Sequence, residues 1–129
     1  MYDLTISLDF EAAHCIREYP GKCRRLHGHN WRVEVSVCGE TLNELGMLVD
    51  FHDLKDAAKE VLNELDHHYL NELEAFNQMN PTAENLARYV YEQLEQLPLL
   101  RQGDIFLTQV KVWESLHSAV AYTKPRVNR

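Results

Sequence analysis

Hydrophobic and polar positions alternate at the start of the chain. Leu4, Ile6, Leu8 and Phe10 are interleaved with Thr5, Ser7 and Asp9, the period of two that marks a half-buried strand. Pro20-Gly21 signals a loop. Trp31, Val33, Val35 and Val37 then resume the alternation, predicting a second strand from about His29 to Cys38. Further on the period changes. Leu54, Ala57, Ala58, Val61, Leu62 and Leu65 fall on one helical face, with Asp53 as the expected N-cap. Asn80-Pro81 is expected to open a second helix, with proline at its first position, and Pro98 to end it. Leu86, Val90, Leu94 and Leu97 mark its buried face. Ile105, Leu107, Val110 and Val112 read as a third strand, and Ser118 to Thr123 as a fourth. The order β-β-α-α-β-β predicts an α+β fold with two helices on one face of a four-stranded antiparallel sheet. No repeat or linker interrupts it, so residues 1–129 are expected to form one domain. Apolar positions left over on both strand faces hint at self-association.

Composition narrows the function. The net charge of −7 argues against nucleic acid and anionic membranes as partners. No apolar run approaches the length of a membrane span. Met1-Tyr2-Asp3-Leu4 lacks a basic region followed by an apolar stretch, so a cytoplasmic location is expected. The three cysteines form an odd set, which predicts a reducing compartment and no disulfide framework.

The candidate chemistry begins with His27 and His29. An H-x-H pair on a strand puts both imidazoles on one face, with Cβ atoms about 6–7 Å apart. His14, near the end of the first strand, can add a third nitrogen from a paired strand. Three neutral imidazoles suit Zn2+ and leave a fourth position open for chemistry. The plainer alternative is three half-exposed surface histidines. Cys23 lies among Lys22, Arg24 and Arg25. Those cations favour thiolate over thiol, so Cys23 is a candidate base, or else a competing metal ligand. The same cluster, with Arg17 nearby, is the obvious local site for a polyanion, or simply a solvated loop. Cys38 reads as a packing residue. Asp66-His67 either pairs a carboxylate with an imidazole for proton transfer or merely caps a turn. Glu114, just after an apolar strand, either faces solvent or grips two ligand N–H groups in a bidentate way.

Taken together, several ordered blocks resemble the 6-pyruvoyltetrahydropterin synthase family. They are Phe10-Glu11-Ala12-Ala13-His14, Cys23-Arg24-Arg25-Leu26-His27-Gly28-His29, Val49-Asp50-Phe51, Leu65-Asp66-His67-His68-Tyr69-Leu70-Asn71, Asn80-Pro81-Thr82-Ala83-Glu84-Asn85-Leu86-Ala87 and Val110-Lys111-Val112-Trp113-Glu114. The short C-x3-H-G-H spacing looks like the bacterial branch, which makes 6-carboxytetrahydropterin for queuosine and other deazapurines.

The resemblance implies a tunnelling fold, with two trimers stacked into a homohexamer. It implies zinc held by His14, His27 and His29, Cys23 as the proton-abstracting thiolate, and Asp66 and His67 completing a relay. It also implies that Glu114 anchors the pterin ring and that Thr82 and Glu84 line its pocket. Ser115-Leu116-His117-Ser118 departs from the threonine-containing sequence of relatives, and His52 and His117 read as surface residues. Three other functions remain to be separated from the carboxy synthase. They are a pyruvoyl-type synthase, a non-catalytic pterin or nucleotide sensor, and a structural zinc domain closed by Cys23.

Overall fold

A computed structural model describes residues 1–18 and 25–125. Cys23, Lys22, Arg24 and the Pro20-Gly21 loop signal lie outside the described residues. Two long strands, β1 (Tyr2–His14) and β2 (His27–Gly39), pair antiparallel along their whole length, with His14 opposite His27 and Ala12 opposite His29. The helix α1 (Phe51–Leu62) follows, then a two-residue strand β3 (His68–Tyr69). Next come α2 (Ala83–Glu95), β4 (Phe106–Ser115) and β5 (Ser118–Tyr122).

The sheet order is β3-β1-β2-β4-β5. It has five strands where four were expected, and β3 runs parallel to β1 at Ala12 and Ala13. So short a strand carries no periodicity to be read. Its pairing depends on the preceding turn, which crosses the sheet edge.

Alternation decides which sheet face is buried. Ile6, Phe10 and Ala12 of β1, Trp31, Val33, Val35 and Val37 of β2, and Val110 and Val112 of β4 pack together under the helices. From the helices come Leu54, Ala58, Val61 and Leu62 of α1 and Leu86, Ala87, Val90 and Leu94 of α2. The opposite face is largely polar: Thr5, Ser7, Asp9 and Glu11 on β1 lie beside Asn30, Arg32, Glu34 and Ser36 on β2. Trp113, paired with Arg32, and Ala119 and Ala121 of β5 put apolar side chains on this second face as well, as expected.

Three helix boundaries also move. The α1 N-cap is Asp50, not Asp53; its carboxylate accepts the N–H of His52 at 2.8 Å. Thr82 caps α2, its hydroxyl accepting the N–H of Asn85 at 3.1 Å, so Pro81 precedes the helix and is not its first residue. Pro98 does not end α2: Gln96 is the C-cap, and Pro98 starts a separate 3-10 turn through Arg101. No helix among the described residues is long and apolar enough to cross a membrane.

Candidate metal centre and adjoining groove

At one end of the helix-covered face the apolar side chains give way to imidazoles. His14 continues the buried series of β1, and His27 and His29 continue the odd-numbered series of β2. Their ring centroids are 4.5, 5.0 and 4.7 Å apart for the pairs 14–27, 14–29 and 27–29. Fully buried Trp31 forms the floor, with its ring edge-on to His14 at 5.1 Å and to His29 at 5.2 Å. Its indole N–H donates to the carbonyl of Ala12 at 3.2 Å, which fixes the plane of that floor.

Each ring is oriented by its surroundings. His14 Nδ1 lies 2.7 Å from the carbonyl oxygen of Pro81, and His27 Nδ1 lies 2.7 Å from that of Arg25. A carbonyl only accepts, so both rings carry their proton on Nδ1 and turn Nε2 inward as a lone-pair donor. Burial holds the imidazoles of His14 and His29 below their ordinary pKa, which keeps both rings neutral. The nearby Glu114 carboxylate opposes that shift without cancelling it.

Glu114 joins the group because it extends the alternation of Val110 and Val112. One ligand atom from each of His14, His27, His29 and Glu114 lies within 4.8 Å of all the others. Glu114 Oε1 is 3.2 Å from His29 Nε2, but the approach lacks hydrogen-bond geometry. Among the described residues, the buried side-chain nitrogens without a hydrogen-bond partner are Nε2 of His14, Nε2 of His29 and Nε1 of Trp113. Two of these three belong to the cluster. A buried polar atom left unpaired costs about 1–3 kcal/mol, and a cation bound by both nitrogens removes that cost. The donor set fits a metal ion of the zinc type, with nitrogen and oxygen ligands.

A groove of about 1100 Å³ adjoins the cluster, lined among others by His29, Glu114, Arg32, Trp113, Asp66 and His67. The last two reach it through an unusual turn. After α1 the chain buries Leu65 and then reverses through His67, whose φ of 59° is in the left-handed region. For a residue other than glycine this costs roughly 1–2 kcal/mol. Hydrogen bonds hold it in place. The His67 N–H donates to the carbonyl of Glu11, and Asp66 Oδ1 accepts from the Glu11 N–H at 2.9 Å. The same Oδ1 lies 2.9 Å from His67 Nδ1. The Glu11 N–H, followed by the His67 ring, holds the Asp66 carboxyl below the usual carboxylate range. Glu11 itself brings Oε2 to 3.5 Å from His67 Nε2, so the ring sits between two carboxylates.

The structure thus brings His14, His27, His29 and Glu114 together and places Asp66 and His67 on the same groove. Thr82 and Glu84 are not part of the groove's lining. Thr82 caps α2, and Glu84 is exposed in its first turn. The guanidinium of Arg17 donates to the carbonyls of Met79 at 3.2 Å and Asn71 at 3.1 Å. His52 and His117 are exposed, and Cys38 is buried.

Two participants have no clear sequence signal. Glu11 offers none beyond its place in the Phe10–His14 block. Pro81 contributes a backbone carbonyl, which no side-chain pattern reports, although its position between Asn80 and the helix cap marks an ordered turn.

Comparison with known proteins agrees with this geometry. A family model described as 6-pyruvoyl tetrahydropterin synthase matches residues 3–125. The chain is 37% identical over 133 residues to a 6-carboxy-5,6,7,8-tetrahydropterin synthase of Synechocystis, covering 99% of this chain and 98% of that one. It is 36% identical over 104 residues to a 6-pyruvoyl tetrahydrobiopterin synthase of Dictyostelium discoideum, covering 79% and 73%. The solved structure of the Caenorhabditis elegans 6-pyruvoyl tetrahydropterin synthase superposes with a TM-score of 0.83 at 27% identity, covering 96% of each chain. The α+β architecture, the histidine cluster and these matches agree: the chain belongs to the 6-pyruvoyl tetrahydropterin synthase family.

Proposed function

We propose that this chain is a zinc-dependent, cytoplasmic 6-carboxytetrahydropterin synthase of the queuosine and deazapurine route, built as one domain over residues 1–129. Its reaction would convert 7,8-dihydroneopterin triphosphate and water to 6-carboxy-5,6,7,8-tetrahydropterin, acetaldehyde and triphosphate. The observation that carries the proposal is the convergence of three imidazoles, two with orphaned Nε2 atoms, beside a groove that also holds Asp66 and His67. The name of the Synechocystis relative supports the carboxy product.

In this reading His14, His27 and His29 hold the zinc. A zinc ion held there would supply Lewis acidity for oxygens of the substrate side chain. Cys23 is the base that takes that proton. Asp66 and Glu11 face Nδ1 and Nε2 of His67, and the ring between these two carboxylates is the group that passes the proton on. The Glu114 carboxylate accepts two N–H groups of the pterin edge and sets its orientation beside the metal. Thr82 caps α2 next to Pro81, whose carbonyl faces His14, and a contact of Thr82 and Glu84 with the pterin belongs to the proposal through the family resemblance alone. Assembly as a homohexamer of two trimers belongs to the same proposal, with the polar sheet face turned inward.

The test is product analysis. Zinc-loaded protein given 7,8-dihydroneopterin triphosphate is expected to release acetaldehyde together with the carboxypterin. A second reading, a pyruvoyl-type synthase, is favoured by the names of the Dictyostelium and Caenorhabditis proteins. A pyruvoyl product without acetaldehyde would select it. No turnover of either kind would leave a pterin-binding protein.

A further inference from the structure

His14 stands on the last rung of the β1–β2 ladder, where it pairs with His27. Terminal rungs open most readily, so a metal ligand there needs support from beyond the sheet. Two asparagines from the other side of the fold supply it. Asn71 Oδ1 accepts the Cys15 N–H at 2.9 Å, and Asn71 Nδ2 donates to the Cys15 carbonyl at 3.0 Å. Asn80 repeats the arrangement two residues on: its Oδ1 accepts the Arg17 N–H at 2.9 Å and its Nδ2 donates to the Arg17 carbonyl at 3.2 Å. Each carboxamide takes one backbone N–H and gives to the same residue's C=O, as a neighbouring strand does.

The clamp and the histidine ring share one anchor. Asn80 precedes Pro81, whose carbonyl faces His14 Nδ1 at 2.7 Å. Asn80's own carbonyl is held by Asn85 Nδ2 at 2.8 Å, and Asn85 is bound to the Thr82 cap. The turn is therefore tied to α2 on one side and to the chain just after His14 on the other. The guanidinium of Arg17 reinforces both asparagine segments through the carbonyls of Asn71 and Met79.

We propose that Asn71 and Asn80 are positioning residues of the metal centre. They hold the end of β1 so that the His14 ring stays in register with the His27–His29 pair on β2. The inference rests on the metal reading given above and extends it to residues that touch neither metal nor substrate. Groups that orient a ligand from behind typically affect metal affinity by about 10–100-fold.

The experiment is cobalt(II) titration of the full chain against a chromophoric chelator, with the visible spectrum of the bound ion recorded alongside thermal unfolding of the metal-free protein. Asn80→Ala and Asn71→Ala are each expected to weaken cobalt binding by roughly 10-fold or more and to change the spectrum, while the metal-free protein remains folded. Asn80→Asp keeps the acceptor for the Arg17 N–H but loses the donor to its carbonyl, so an intermediate affinity is expected even if the alanine variant folds poorly. The control is Asp104→Ala at the far end of the sheet, where Asp104 accepts the N–H groups of Glu40 and Thr41 at 3.2 and 3.1 Å. It should lower thermal stability yet keep the cobalt affinity within about twofold, since distant sites act independently.

Unchanged affinity in both asparagine variants, or an equal loss in Asp104→Ala, would overturn the clamp while leaving the metal site intact. Failure of the wild-type chain to bind cobalt would overturn the metal reading and the clamp with it.

Discussion

His14 and His67 border the same end of the sheet and are held in opposite ways. His14 lies on a regular strand, 1% exposed, with its ring edge-on to Trp31 and Nδ1 fixed by a backbone carbonyl. The His67 side chain is 74% exposed, its backbone is left-handed, and its Nδ1 faces a carboxylate. A buried, neutral ring with one nitrogen fixed suits a ligand, which must keep its geometry and stay unprotonated. An accessible ring backed by a charged acceptor suits a group that exchanges protons. In the proposed reading the metal ligands are built into the core, whereas the proton-handling pair is added at the rim at a cost in backbone strain.

The sharpest way to break this contrast is to remove one functional group from each region. His14→Ala should reduce metal affinity by more than the roughly 10–100-fold that follows loss of a group behind a ligand, and abolish turnover. Equilibrium dialysis with metal analysis checks it, and retained stoichiometric zinc would remove His14 from the site. Asp66→Asn should lower kcat by about 10²–10⁴-fold, the usual range for general acid–base assistance, with zinc content unchanged. Loss of zinc in that variant would show that the rim and the core are not separate.

Glu114 sits on the border, so its variant sharpens the comparison. Glu114→Gln should weaken pterin binding by about 10–100-fold, as befits charge-assisted hydrogen bonds, with a much smaller change in zinc affinity. A pterin titration by fluorescence measures the first quantity, and a larger loss of zinc would make Glu114 a ligand.

Smaller effects probe the strain at the rim. His67→Gly should be more stable than His67→Ala by about 0.5–1 kcal/mol in urea unfolding, because glycine adopts the left-handed conformation freely but brings more entropy to the unfolded chain. Equal stabilities would mean that the turn stores no strain. The smallest effect is on acid stability. The Asp66 carboxyl is held below its usual range, chiefly by the Glu11 N–H. Its contribution is therefore complete above the ordinary carboxylate value of 3.8 and is lost as pH falls through the lower folded-state value. Acid unfolding of Asp66→Asn should lack that component, and an identical acid limb would contradict the assignment.

Much of the fold and most of the metal centre are legible in the order of residues along the chain. The alternation that buries Trp31, Val33 and Val35 also carries His27 and His29 to the same face, and β1 does the same for His14. The features that are not legible have physical reasons. Strand β3 is two residues long and is fixed by the turn at His67, not by its own composition. Asp50 and Asp53 are equally good capping residues, and only the backbone at Asp50, extended with ψ of 127°, decides between them. The link from His14 to Pro81 joins positions 67 apart through a main-chain oxygen and has no sequence signature.

X-ray absorption at the zinc edge of the metal-loaded, substrate-free protein reads the ligand shell itself. The expected shell holds nitrogen and oxygen only, with three imidazoles at about 2.0–2.1 Å and no sulfur. A sulfur scatterer at about 2.3 Å would contradict it, since Cys23 would then close the site as a ligand and could not serve as its base.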